Sequence, residues 1–140
     1  MTSDNEEHGF TGSVRRFFWL PRHAPRHAAP VWPLARVWLF IVAAGAGAAA
    51  LGWGDLVVVL MFVGIVHALL DDVINGVRHR WPAFVAGLSA GWCVDRLAEA
   101  VLSAPADPHW ADWAGLTCGS LAAFATFVAV TRLPAARLRV

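Results

Sequence analysis

The sequence predicts an all-α polytopic membrane protein: four transmembrane helices, arranged as two antiparallel hairpins, with both the N- and C-termini cytoplasmic. Three observations predict it. Apolar residues make up 58% of the 140-residue chain and charged residues only 15%, against about 25% charged in ordinary soluble domains. The apolar residues gather into four spans, each near the ~20 residues that a ~30 Å hydrocarbon core requires. Finally, ten of the eleven arginines fall in residues 1–36, 71–82 and 132–140, and the two remaining connections carry none. Arg-rich connections stay on the cytoplasmic side, so this alternation fixes the expected orientation.

Residues 1–33 read as a cytoplasmic tail, partly disordered at its start and then rich in Arg, His and Pro. Within it, Val14–Leu20 is a short basic-aromatic patch suited to lying along lipid headgroups. Arg15-Arg16-Phe17-Phe18 is similar to a twin-arginine signal, and Ala48-Ala49-Ala50 to a small-residue cleavage site. Pro21, Pro25, Pro30 and Pro33 lie between them, which makes the leader too long, so the first span is expected to stay.

The transmembrane domain, 34–131, follows. Span 1 is expected over Leu34–Trp53, span 2 over Leu56–Ile74, span 3 over Ala83–Leu102 and span 4 over Asp112–Thr131. Gly52-Trp53-Gly54-Asp55 leaves only a tight turn between the first two. Asn75-Gly76 is a natural helix C-cap ahead of Arg78-His79-Arg80. Residues 132–140 form a short basic tail. Trp32, Trp53, Trp81, Trp110 and Trp113, with Trp38 nearby, fall at expected boundaries and read as lipid-interface anchors. Trp32-Pro33 is echoed by Trp81-Pro82, and Trp53-Gly54-Asp55 by Trp110-Ala111-Asp112, a weak sign of a doubled hairpin.

Small residues sit where helices would touch: Gly45 and Gly47 in span 1, Gly87 and Gly91 in span 3, Gly115 and Gly119 in span 4. Membrane helices pack by close backbone approach, so these read as helix–helix surfaces, within this chain or toward another. Cys93 and Cys118 fall inside apolar spans and read as small buried free thiols, too few for a disulfide framework.

The costly residues narrow the function. Asp95 lies about 21 Å along the helix from Trp81, with Arg96 beside it and Glu99 one turn on. Charges at that depth need protein, water or a partner. Two carboxylates at i,i+4 invite a shared proton, a cation or a guanidinium. Alternatively span 3 ends near Val94 and the cluster sits on a hydrated extension. In span 2, His67, Asp71 and Asn75 are spaced to share a face, and Asp71 with Asp72 oppose the helix dipole. Two helical ligands are too few for zinc, so no metal is expected. His67 is the one residue placed to hold a haem or chlorophyll-type pigment, but no second span offers a second His. No cofactor is expected.

Asn75-Gly76-Val77-Arg78-His79 resembles the Gly-x-Arg-His stretch of the cytochrome b anchor subunits of succinate dehydrogenase. The resemblance covers five residues. It implies a haem ligand four positions before the glycine, where this chain has Asp72, and an early Ser/Arg quinone motif that is absent. No phosphate loop, Cys-x-x-Cys, His-Glu-x-x-His or Gly-x-Ser-x-Gly occurs. A net charge of +1 offers nothing to nucleic acid. The complete absence of Lys, Tyr and Gln resembles the bias of a GC-rich bacterial genome, so a bacterial inner membrane is expected.

These features lead to the expectation of a non-catalytic small subunit of a larger membrane complex, contacting lipid and either other subunits or its own copies. The second expectation is a homo-oligomeric proton- or cation-coupled transporter or channel using Asp95 and Glu99. A third is a lipid- or isoprenoid-acting enzyme using His67, Asp71, Asp72 and Asn75.

Overall fold

The computed structural model describes residues 26–102 and 108–134. It is all-helical, with α1 at Val31–Ala50, α2 at Gly54–Ile74, α3 at Arg80–Leu102 and α4 at Pro108–Thr131. Three of these, α1, α2 and α4, are long and apolar enough to cross a membrane. α3 has the length, 23 residues, but Arg80, Asp95, Arg96 and Glu99 dilute its apolar character. The expectations for the Val14–Leu20 patch and for most of both tails lie outside the described residues.

Prolines mark the helix starts. Pro33 and Pro82 are the third residues of α1 and α3, and Pro108 opens α4. First-turn amides have no intrahelical acceptor, so proline costs nothing there. Glycines close two of the helices. At the end of α1, Gly52 takes φ 73°, and the Trp53 amide returns to the Ala48 carbonyl at 3.0 Å. At the end of α2, Gly76 takes φ 88°, and the Val77 amide reaches the Asp72 carbonyl. Both are left-handed caps that satisfy otherwise orphaned carbonyls. The first ends α1 at Ala50, three residues before the expected boundary at Trp53; α4 starts four residues before its own, because Pro108 initiates it.

α4 is the central helix, in contact with the other three, whereas α1 and α3 do not meet. Side chains of Val57, Met61, Leu69 and Val73 of α2 and of Phe127 of α4 are fully buried. Two indoles tie α1 to α4. Trp38 Nε1 donates to Ser120 Oγ at 2.9 Å, and Trp113 Nε1 donates to the Val42 carbonyl at 3.0 Å. Trp38 and Trp113 therefore turn inward, while Trp32 and Trp53 are exposed.

The residues before α1 cross the end of the bundle that carries the α2–α3 connection. The Arg78 amide donates to the His27 carbonyl at 2.9 Å, and the buried Ala29 amide donates to Thr131 Oγ1 at 3.2 Å. Large apolar side chains face outward all round, Phe40 at 75% exposure and Val101 at 68% among them. An aqueous surface does not carry so much apolar area; a lipid-facing one does. Cys93 and Cys118 also lie on this exterior as free thiols. That corrects the expectation of burial: a position inside an apolar span does not fix which side of the helix it occupies.

Candidate functional site

The site grows from the α3–α4 contact. Gly87, Gly91 and Asp95 follow at four-residue steps on one stripe of α3, and Gly115, Gly119 and Ala123 on one stripe of α4. The two stripes meet in reverse order. A Cβ on Gly87 would lie 3.0 Å from the Ala123 carbonyl, one on Gly91 3.0 Å from the Gly119 carbonyl, and one on Gly115 3.1 Å from Asp95 Oδ1. All four glycines singled out in these helices thus face the α3–α4 contact. Gly115 also makes the space in which the Asp95 carboxylate sits. In α1, Gly45 faces Met61 and Trp113, whereas Gly47 faces open space.

The α3 helix continues unbroken past Val94 to Leu102. Asp95, Arg96 and Glu99 are therefore on regular helix. Arg96 holds both acids, with Nη2 3.3 Å from Asp95 Oδ2 and Nη1 2.7 Å from Glu99 Oε2. The guanidinium is 61% exposed and the Asp95 side chain 19%. Asp95 is the inner member of the cluster and Arg96 the outer.

Because α2 and α3 scarcely touch, a cleft of about 410 Å³ opens between them with α4 as its floor. Its walls include Val58 and Phe62 of α2, Leu88 and Trp92 of α3, and Leu116 of α4, and Asp95 with Arg96 closes one end. Phe62 and Trp92 are exposed at the rim. Gly91, Gly119 and Ala123 also line it, so the small residues that draw α3 onto α4 also leave this volume unfilled. A cavity of about 60 Å³ beyond the acid end is lined by Asp95, Glu99 and Asp112. A third, about 490 Å³, continues past Asp112 to Asp55 and His109 at the α1–α2 end of the bundle.

Asp112 and Asp55 were not among the site residues the sequence put forward; they served only as span boundaries and in the echo of Trp53-Gly54-Asp55 by Trp110-Ala111-Asp112. Helical spacing contained the signal: Asp112, Gly115 and Gly119 fall on one face of α4.

The α2 candidates do not join this site. His67, Asp71 and Asn75 share an exposed face, where Asn75 Nδ2 donates to Asp71 Oδ2 at 3.3 Å. Asp72 turns the other way and is 8% exposed, with Oδ2 lacking a hydrogen-bond partner among the described residues. Arg78 engages the segment before α1, its Nε donating to the Arg26 carbonyl at 3.3 Å. Among the described residues no three His, Cys, Asp or Glu side chains gather as a metal site. Trp110 packs edge-on against Trp113 with ring centroids 5.6 Å apart, and Trp81 packs similarly against Phe84. No known protein family, curated protein or solved structure matches the chain.

Proposed function

We propose that this is a small multi-pass membrane transporter that takes its solute into the α2–α3 cleft, with Asp95 and Glu99 coupling a proton or cation to the movement. The observation that carries this is the cleft itself, an apolar cavity of about 410 Å³ ending on a charged cluster within regular helix. Its volume falls in the ~300–1,000 Å³ range of small-molecule sites, which are mostly apolar with few polar groups. An ionisable residue within a membrane-spanning helix is a functional-site hypothesis by default.

The proposed setting is a bacterial inner membrane crossed four times, α1 with α2 and α3 with α4 forming antiparallel hairpins. Both termini are then cytoplasmic, so the α1–α2 end, with Asp55 and Asp112, faces outward. The reverse-order contacts of α3 and α4 and the Arg distribution support this arrangement.

In vesicles holding a pH dye, a panel of amphiphilic solutes tests the proposal. One class drives proton movement in the native protein, and Asp95→Asn abolishes it with the melting temperature unchanged; undiminished flux in Asp95→Asn removes it.

A second reading, an accessory subunit of a larger complex, is favoured by the outer face of α1, where Gly47 is open and Phe40 is exposed. That face admits a close-packed helix from a partner or from a second copy. Stoichiometric partner polypeptides after mild-detergent purification support this reading; a lone chain or homo-oligomer counts against it.

A further inference from the structure

Resting on the reading of the cleft as a solute site, we propose that its ligand is a lipophilic cation, entering from the α1–α2 end of the bundle. Shape, polarity and charge sign each contribute.

The cleft runs from Leu88 to Asp95, seven residues or about 10 Å of helix, while a helix with its side chains is about 10–12 Å across. A cleft no longer than one helix diameter suits a hydrocarbon chain or ring system. Its walls are aliphatic and aromatic, and its polar groups gather where Asp95 and Arg96 stand. An occupant with one apolar body and one polar head satisfies both parts.

The sign of the head follows from what faces it. Asp95, Glu99 and Asp112 line the small cavity at that end, and Arg96 is the one cation among its lining residues. Three carboxylates against one guanidinium leave a negative balance when all are ionised. An anionic head meets repulsion there, and a neutral one leaves the carboxylates no better partnered than before. A cationic head gains a counter-ion, and the indole of Trp92 on the cleft wall offers a π face as well.

Arg96 pairs with both Asp95 and Glu99 at its tip, and its side chain is 61% exposed. A cation arriving at Asp95 displaces this guanidinium toward the outside.

The approach carries the same sign. Successive cavities share wall residues: the first and second share Asp95 and Arg96, and the second and third share Val58 and Asp112. From the end of the bundle inward, the acids met are Asp55, Asp112, Glu99 and Asp95. A channel lined by one sign of charge with low-dielectric walls concentrates the opposite sign.

The test uses the full-length protein in lipid nanodiscs and two probes of matched size and opposite charge, radiolabelled tetraphenylphosphonium and tetraphenylborate. N-phenyl-1-naphthylamine serves as the neutral aromatic probe. The expected result is saturable phosphonium binding that excess tetraphenylborate does not displace. Asp95→Asn weakens it at least tenfold and Glu99→Gln several-fold, with melting temperatures retained. Val58→Trp, at an exposed position on the α2 wall of the cleft, abolishes binding of any cleft ligand with the melting temperature retained. Tetraphenylborate or the naphthylamine binding as tightly as the phosphonium, and being lost in Val58→Trp, overturns the cation assignment while the cleft reading stands. Phosphonium binding indifferent to both Asp95→Asn and Glu99→Gln overturns the assignment in the same way. Saturable binding of no probe overturns both.

Discussion

At the scale of single residues, two glycines make opposite predictions. Alanine is favoured over glycine in a helix interior by about 1 kcal/mol, so contacts decide the sign. A Cβ on Gly119 meets the Gly91 carbonyl at 2.7 Å and Asp95 Cβ at 2.9 Å, both on an adjoining helix that must move. Gly119→Ala is therefore expected to destabilise by about 1–3 kcal/mol, the usual cost of overpacking. Gly47→Ala meets nothing and is expected to be neutral or slightly stabilising; thermal melting in detergent reads both. The sequence showed that small residues recur at packing spacing. It did not show that Gly45 is covered and Gly47 open, because two residues along a helix is a rotation of about 200° and only the assembled bundle fixes the zero. The Trp38–Ser120 bond lends itself to a cycle. Trp38→Phe and Ser120→Ala are each expected to cost about 1 kcal/mol, and the double variant less than their sum, since both remove one interaction. Strict additivity would show that the bond contributes nothing.

At the scale of elements, the sequence was most legible where local chemistry acts alone. Asn75-Gly76 marked the end of α2 correctly, since a left-handed glycine acts within one turn, and Pro33 and Pro82 lie in the first turns of α1 and α3. It was least legible where an element is held by distant backbone. Nothing in Arg26–Pro30 announces that it will lie across the α2–α3 connection and the end of α4, because the bonds join groups that every residue possesses. Thr131 fixes that strap, accepting from the Ala29 amide at 3.2 Å while donating to the Val128 carbonyl at 2.8 Å. Ala29 is 2% exposed and Thr131 is fully buried. Thr131→Val keeps the shape but orphans the amide, at an expected cost of about 1–3 kcal/mol. The diagnostic readout is local: amide exchange should accelerate at Ala29 and in its neighbours far more than in the middle of α2. Uniform acceleration would mean that the strap is not a separate element.

At the scale of the whole molecule, the sequence supplied the helix count and left the cleft invisible, since an empty space between α2 and α3 depends on which helices touch. The central place of α4 follows from its glycines, yet α3 carries an equal stripe and lies at the edge. The same contacts bear on whether α3 crosses the membrane, its charges being the reason to doubt it. α3 and α4 stay in register from Gly87 against Ala123, through Gly91 against Gly119, to Asp95 against Gly115. Those eight residues on each helix are about 12 Å, a substantial part of a ~30 Å core. If α4 spans, its partner along that length spans with it, and the connection between them lies opposite the α2–α3 connection. Single cysteines introduced as Asp55→Cys, Asn75→Cys, His109→Cys and Arg132→Cys, in a Cys93→Ala/Cys118→Ala background, test this with an impermeant maleimide on intact cells. Four spans with cytoplasmic termini predict labelling of positions 55 and 109 from outside, and of positions 75 and 132 only after permeabilisation. Position 109 decides the matter: if it is protected together with 75, α3 lies along the interface and the route from Asp55 to Asp95 does not open outward. Labelling at 109 together with 55 places all four acids on one path from the outer surface, the geometry a cation would follow into the cleft.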